Sequence, residues 1–200
     1  DNSVPGNRNA GPLHGVPITV KINIDYAGRP TTNGVVAFKE LIAPEDNITI
    51  ECFRQAGAVI IGRTNVPAFS TRFFTDNALH GQTLNPWNLQ KTPGGSSGGA
   101  AAAVATGIGT IAHGNDRAGS VRYPAFACGV YGIRPTLGRV PNYNPSTRTE
   151  RGLFSQITTV QGALARSIND LRLALDVLTI KDNRDPWSVN LPKNKVKNQK

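Results

Sequence analysis

The sequence predicts an α/β fold, on three observations. Apolar, β-branched runs of strand length recur along the chain, helix patterns with start and stop residues lie between them, and the two kinds alternate. At 200 residues the chain is long enough to bury a sizeable core without disulfide or metal staples. Its 21 Gly and 14 Pro imply many turns and long connections, so loops should carry much of the surface.

Residues 1–15, rich in Gly, Pro and Asn, read as an irregular lead-in. Val16 to Val20 form an apolar, β-branched run that ends at Lys21, which places this lysine at a strand end. In "PEDNITIECFRQAG", Asp46 is the expected helix cap, Ile48, Cys52 and Phe53 recur at helical spacing, and Gly57 stops the helix. "AVIIGRTN" then reads as a buried strand. "AAAAVATG" is a second helix, "IGTIAHG" a short strand, and "SVRYPAFACGVYG" a third helix opening at Ser120. "SINDLRLALDVLTI" is an amphipathic helix capped by Ser167, with Asp170 three residues on. The chain has no internal repeat.

The formal charge of +9 suggests a nucleic-acid partner until it is divided along the chain. Residues 181–200 hold six Lys or Arg against two Asp, and read as a basic linker or a truncated end. The remaining basic residues are scattered, with no aromatic-interleaved stripe, which argues against direct nucleic-acid binding. No run approaches the roughly eighteen apolar residues of a membrane span, and no signal-like segment opens the chain. A soluble, cytoplasmic protein with no membrane partner is expected. The chain starts at Asp1 and holds no Met, from which a trimmed N-terminus is expected. Cys52 and Cys128 lie far apart in apolar contexts, and His14, His80 and His113 are dispersed. Buried thiols in a reducing compartment are therefore expected, and a metal site is not.

The stretch "TPGGSSGGAAAAVATG", Thr92 to Gly107, admits three readings. A flexible linker needs polar surroundings, whereas an alanine-rich helix follows this loop at once and Pro93 stiffens its approach. A phosphate cradle needs Gly-Lys-Ser/Thr or dinucleotide glycine spacing, and neither is present. A catalytic loop needs a base and backbone donors to activate its hydroxyls. The chain offers a second serine in a comparable setting, Ser120 in "GNDRAGSVRYPA", and a lysine, Lys21, ending an apolar strand.

Together "GPLHGVPITVKINID", "TPGGSSGGAAAAVATGIGTIAHGNDRAGSVRYPAFACGVYGIRPTLGRV" and "VQGALARSINDLRLAL" resemble the amidase signature family, over roughly residues 11–180 and with the 24-residue step from Ser96 to Ser120 preserved. The resemblance implies a mixed β-sheet core covered by helices, with residues 1–180 as the core, incomplete on its C-terminal side. It implies a Ser-cisSer-Lys triad: Ser120 as nucleophile, Ser96 as the bridging serine behind Gly95 and a cis peptide bond, and Lys21 as base. Burial at a strand end would lower the lysine pKa and so make it a base. Ser97 supports the loop, although the residues alone leave open whether Ser96 and Ser97 exchange roles. The N–H groups of Arg117, Ala118, Gly119 and Ser120 are the implied oxyanion donors. Two readings are open for Asp116, Asn115 and Arg122, fixing or anchoring the nucleophile loop or serving as ordinary structural polar groups, and the structural one is favoured. His113 has no evident orienting partner and is not the expected base.

Three departures qualify the resemblance. Arg117-Ala118-Gly119-Ser120 stands where the family usually has Gly-Gly-Ser after a small or apolar residue, and a positive φ at Ala118 would cost about 1 kcal/mol or more. Ile22 follows the lysine where an acidic residue is frequent, and family members run well past 200 residues. The implied function is amide hydrolysis through a serine acyl-enzyme on a small-molecule amide. No metal or organic cofactor is called for, and a homodimer is possible. The alternatives are the glutaminase component of a glutamyl-tRNA amidotransferase and a non-catalytic interaction module on the same scaffold. The sequence around Lys21 and "VPNYNPSTRTE" looks less like that component than like stand-alone amidases.

Overall fold

The computed structural model describes residues 11–147 and 151–190. Its frame is a mixed five-stranded sheet in the order β2-β1-β5-β7-β6, made of β1 (Pro17–Lys21), β2 (Val59–Thr64), β5 (Ile111–Asp116), β6 (Tyr131–Ile133) and β7 (Val160–Ala165). β1 runs parallel to β2 and β5, and β7 runs antiparallel to β5 and β6. A separate hairpin joins β3 (Asp76–Asn77) to β4 (Gly81–Gln82). The helices are α1 (Ile48–Gln55), α2 (Gly98–Ala105), α3 (Arg122–Cys128), α4 (Leu153–Thr158) and α5 (Ile168–Leu178).

The two-residue period of the strands sorts their side chains between two apolar clusters. Ile18, Val20, Ile111, Ala163 and Ala165 pack with Ile50 and Phe53 of α1 and Leu171, Ala174 and Leu178 of α5. Ala112 and Leu164 face the other way, onto Ala100, Ala101 and Val104 of α2 and Val121, Ala125 and Cys128 beside or within α3. The small side chains of α2 bring its backbone close to its neighbours. At Gly99, a Cβ would lie 2.5 Å from the backbone nitrogen of Asn65, so only glycine fits there. Both cysteines are buried and unpaired, and burial raises their thiol pKa to about 12 for Cys52 and about 11 for Cys128.

Several expectations are corrected. Asn47, not Asp46, caps α1 by accepting from the Thr49 N–H, because Asp46 is held by Arg54 and the Ala27 N–H. β2 is an edge strand rather than a buried one, and its Val59 and Ile61 are half exposed. α3 begins at Arg122, leaving Ser120 in the preceding turn. Residues 1–10, within the expected lead-in, and 191–200, within the expected linker, lie outside the described residues. Residues 181–190 fold back onto the body: Arg184 bridges Glu51 and Asp182, and Val189 donates its N–H to the Gly138 carbonyl. Among the described residues no helix is long and apolar enough to cross a membrane.

Candidate active site

β1 delivers Lys21 to the site. With Ile18 and Val20 committed to the α1–α5 cluster, alternation turns Lys21 to the α2 side, where it is fully buried. Its Nζ lies 2.7 Å from Ser96 Oγ and 2.7 Å from Asn115 Oδ1. Burial pulls the lysine pKa down to about 7, against a smaller upward pull from the Asp116 carboxylate. Such an amine is unprotonated in a large fraction of molecules at neutral pH.

The loop before α2 supplies the two serines, both buried, and its Gly95–Ser96 peptide bond is cis. Their roles separate in the structure. Ser96 faces Lys21, whereas Ser97 donates its N–H to the Ser120 carbonyl and its hydroxyl to the Asn115 carbonyl. Ser97 thereby ties the α2 loop to β5 and to the turn that follows it.

That turn, residues 117–121, is shaped by one carboxylate. Asp116, buried at the end of β5, accepts from the N–H groups of Gly119, Val121 and Arg122 and from the Arg122 guanidinium. Burial opposes its charge, but these donors outweigh it and hold the pKa at about 2. The positive φ falls on Gly119, at 117°, and not on Ala118, so the alanine carries no left-handed strain. Gly119 gives its N–H to Asp116, which removes it from the expected set of oxyanion donors; among the described residues the N–H groups of Arg117, Ala118 and Ser120 have no such acceptor. The Arg117 side chain is drawn to α4 by Thr159 Oγ1 at 3.0 Å and Ser155 Oγ at 2.8 Å.

Ser96 and Ser120 line one cavity of about 280 Å³, together with Arg117, Ala118, Asn115 and Asn23. Phe69, Ser70 and Phe73 line it as well. Asn33, Phe69 and Ser70, the described non-glycine residues with positive φ, all border this cavity. Backbone strain gathered at one cavity is typical of a functional site. No residue pattern signals it in the sequence.

Two polar residues beside the lysine have partners that the sequence does not reveal. Asn115 does not hold the turn before α3 with its side chain; its oxygen meets Lys21 and its amide pairs reciprocally with Asn23. His113 is fully buried behind the lysine, its Nδ1 accepting from the Lys21 backbone N–H and its Nε2 2.8 Å from Gln161 Oε1. Burial depresses its pKa to about 4, so it is neutral at pH 7, and its ring hydrogen-bonds to neither Ser96 nor Ser120.

The model of the family described as Amidase matches residues 1–200. Indoleacetamide hydrolase of Bradyrhizobium diazoefficiens is 57% identical over 91% of this chain and 35% of its own length. The glutamyl-tRNA(Gln) amidotransferase A subunit of Deinococcus radiodurans is 42% identical over 95% of this chain and 39% of its own. Among solved structures, a bacterial aryl acylamidase of the amidase signature enzymes superposes with a TM-score of 0.83 at 36% identity, covering 91% of this chain and 37% of that one. The chain thus spans little more than a third of the length of these relatives.

Proposed function

The chain belongs to the amidase family, and we propose that it carries the triad of an enzyme cleaving a carboxamide C–N bond, with Ser120 as nucleophile, Ser96 as proton bridge and Lys21 as base. The observation that carries this reading is the buried Lys21 amine, with a pKa near 7, 2.7 Å from Ser96 Oγ. In the proposed cycle Ser120 Oγ bonds to the amide carbon and passes its proton to Ser96, whose own proton moves to Lys21. The N–H groups of Arg117, Ala118 and Ser120 receive the oxyanion. As the C–N bond breaks, the proton returns from Lys21 through Ser96 to the leaving nitrogen. Water then attacks the ester by the same route, releasing the acid and restoring Ser120.

For the substrate we favour a primary amide with an aromatic acyl group. The exposed rings of Phe69 and Phe73 on the cavity wall support it, as does the likeness to an indoleacetamide hydrolase. The glutaminase reading rests on the glutamyl-tRNA(Gln) amidotransferases among the relatives. Ammonia release from indole-3-acetamide, phenylacetamide and glutamine tests both. Turnover of the aryl amides, lost by on the order of a thousandfold or more in Ser120→Ala, supports the proposal. Activity on glutamine alone, and only with partner proteins, would transfer the chain to the second reading. A fluorophosphonate probe that leaves Ser120 of the folded protein unlabelled would favour a non-catalytic module.

A further inference from the structure

The Lys21 amine has two polar neighbours, Ser96 Oγ and Asn115 Oδ1, each at 2.7 Å. A neutral amine holds two protons and one lone pair, and a base must direct the lone pair at the proton it takes. The neighbour opposite Ser96 therefore decides where the lone pair points. Here it is an amide whose orientation is set by a chain of hydrogen bonds. Ser70 Oγ donates to Asn33 Oδ1 at 2.7 Å, and so accepts from Asn23 Nδ2 at 3.1 Å. This turns Asn23 Oδ1 toward Asn115 Nδ2, 3.0 Å away, and leaves Asn115 Oδ1 facing the lysine. An amide oxygen carries no proton, so at this neighbour Lys21 can only donate.

We propose that Asn115 is a positioning residue for the lysine base: its side-chain oxygen, held by Asn23, Ser70 and Asn33, takes one N–H of Lys21 and leaves the lone pair facing Ser96. The inference rests on the triad reading above. It also accounts for the residue type, since Asn115 supplies an acceptor without a charge. A carboxylate at the same place would pair with the ammonium and keep it protonated. The other charged and titratable groups around the lysine do not take this role. Asp116 is committed to the nucleophile turn and Arg122, His113 is neutral and bonded to Gln161 and to the Lys21 backbone rather than its amine, Arg63 of β2 is bound to the carbonyls of Pro30, Ile22 and Ile24, and Arg117 is held by Ser155 and Thr159.

The test reads the lysine itself. In the full chain with ¹³C-labelled lysine, the Lys21 Cε resonance is followed against pH in the wild type, Asn115→Asp and Asn115→Ala, beside the pH profile of kcat/KM on an aryl amide. Asn115→Asp should move the Lys21 titration and the acid limb upward by about two units, lowering turnover at pH 7 by about tenfold or more with recovery at alkaline pH. Asn115→Ala, which removes an acceptor of the charged form, should move the titration downward and reduce kcat by about tenfold or more with little change in KM. Either variant decides the matter if the other does not fold. A Lys21 titration unmoved by the substitution overturns the inference, even if turnover falls, because a merely structural role lowers the rate equally at every pH. A shifted titration in a protein that hydrolyses no amide supports the placement of the lysine and instead defeats the proposed function.

Discussion

At the scale of single residues the site is governed by the cost of burying a charge. Lys21 titrates near 10.5 when unfolded and near 7 when folded, so between these values the unfolded chain binds the extra proton. The stability contribution of the lysine therefore becomes more favourable as pH rises from about 7 to about 10.5, and is constant and unfavourable below that window. Lys21→Met should stabilise the fold at pH 7 by on the order of 2–4 kcal/mol, after the loss of its hydrogen bonds. The difference from wild type should shrink toward pH 10. Urea denaturation midpoints at pH 6, 7, 9 and 10 check it; a variant less stable at pH 7, or a gap independent of pH, contradicts it. Lys21, Ser96 and Ser120 stand out in the sequence as candidates because their motifs are local and ordered. Asn115, Asn23, Asn33 and Ser70 do not: the network joins residues up to 92 positions apart, and nothing in an isolated asparagine says which amide it will face.

At the scale of elements, the turn between β5 and α3 depends on Asp116. The carboxylate satisfies three backbone N–H groups that no helix bond supplies, and it pairs with the half-exposed Arg122. Its folded pKa of about 2 lies below the unfolded 3.8, so this stabilisation is present above about pH 4 and is lost as pH falls through 2. Asp116→Asn should cost on the order of 2 kcal/mol at pH 7 and progressively less between pH 3.8 and 2, read by thermal melting across that range. It should also lower kcat, since the proposed oxyanion donors of Arg117, Ala118 and Ser120 hang on the same turn. A melting temperature unchanged at pH 7 would remove Asp116 from this role. The strands and helices themselves are mostly visible as patterns. The cap of α1 falls one residue from its expected place because Asp46 and Asn47 are equally good caps, and only the engagement of Asp46 by Arg54 and Ala27 separates them. β7 escapes sequence reasoning altogether: "VQGALA" has the small side chains of a strand buried on both faces, not the β-branched run that marks one.

At the scale of the whole molecule, the sheet places the strand that carries Lys21 beside an edge. β1, which ends in Lys21, is covered on one side by β5 and on the other only by β2, whose outer edge pairs with no described strand. Periodicity predicts β2 to be buried because Val59, Ile60 and Ile61 form a continuous apolar run, yet Val59 and Ile61 stand half exposed. Exposed Leu84, Leu89 and Ile108 border an open cavity of about 480 Å³ against the same strand. An apolar edge with free backbone donors and acceptors is a template for strand addition. The 200-residue chain should therefore self-associate with rising concentration, and Ile61→Lys should suppress this, because a lysine on an edge strand must be desolvated when a second strand docks. Light scattering across a concentration series measures the effect, and the Lys21 titration serves as the control, since Ile61 borders neither Ser96 nor Asn115. Association undiminished by the lysine, with Lys21 unaltered, would place the contact away from β2.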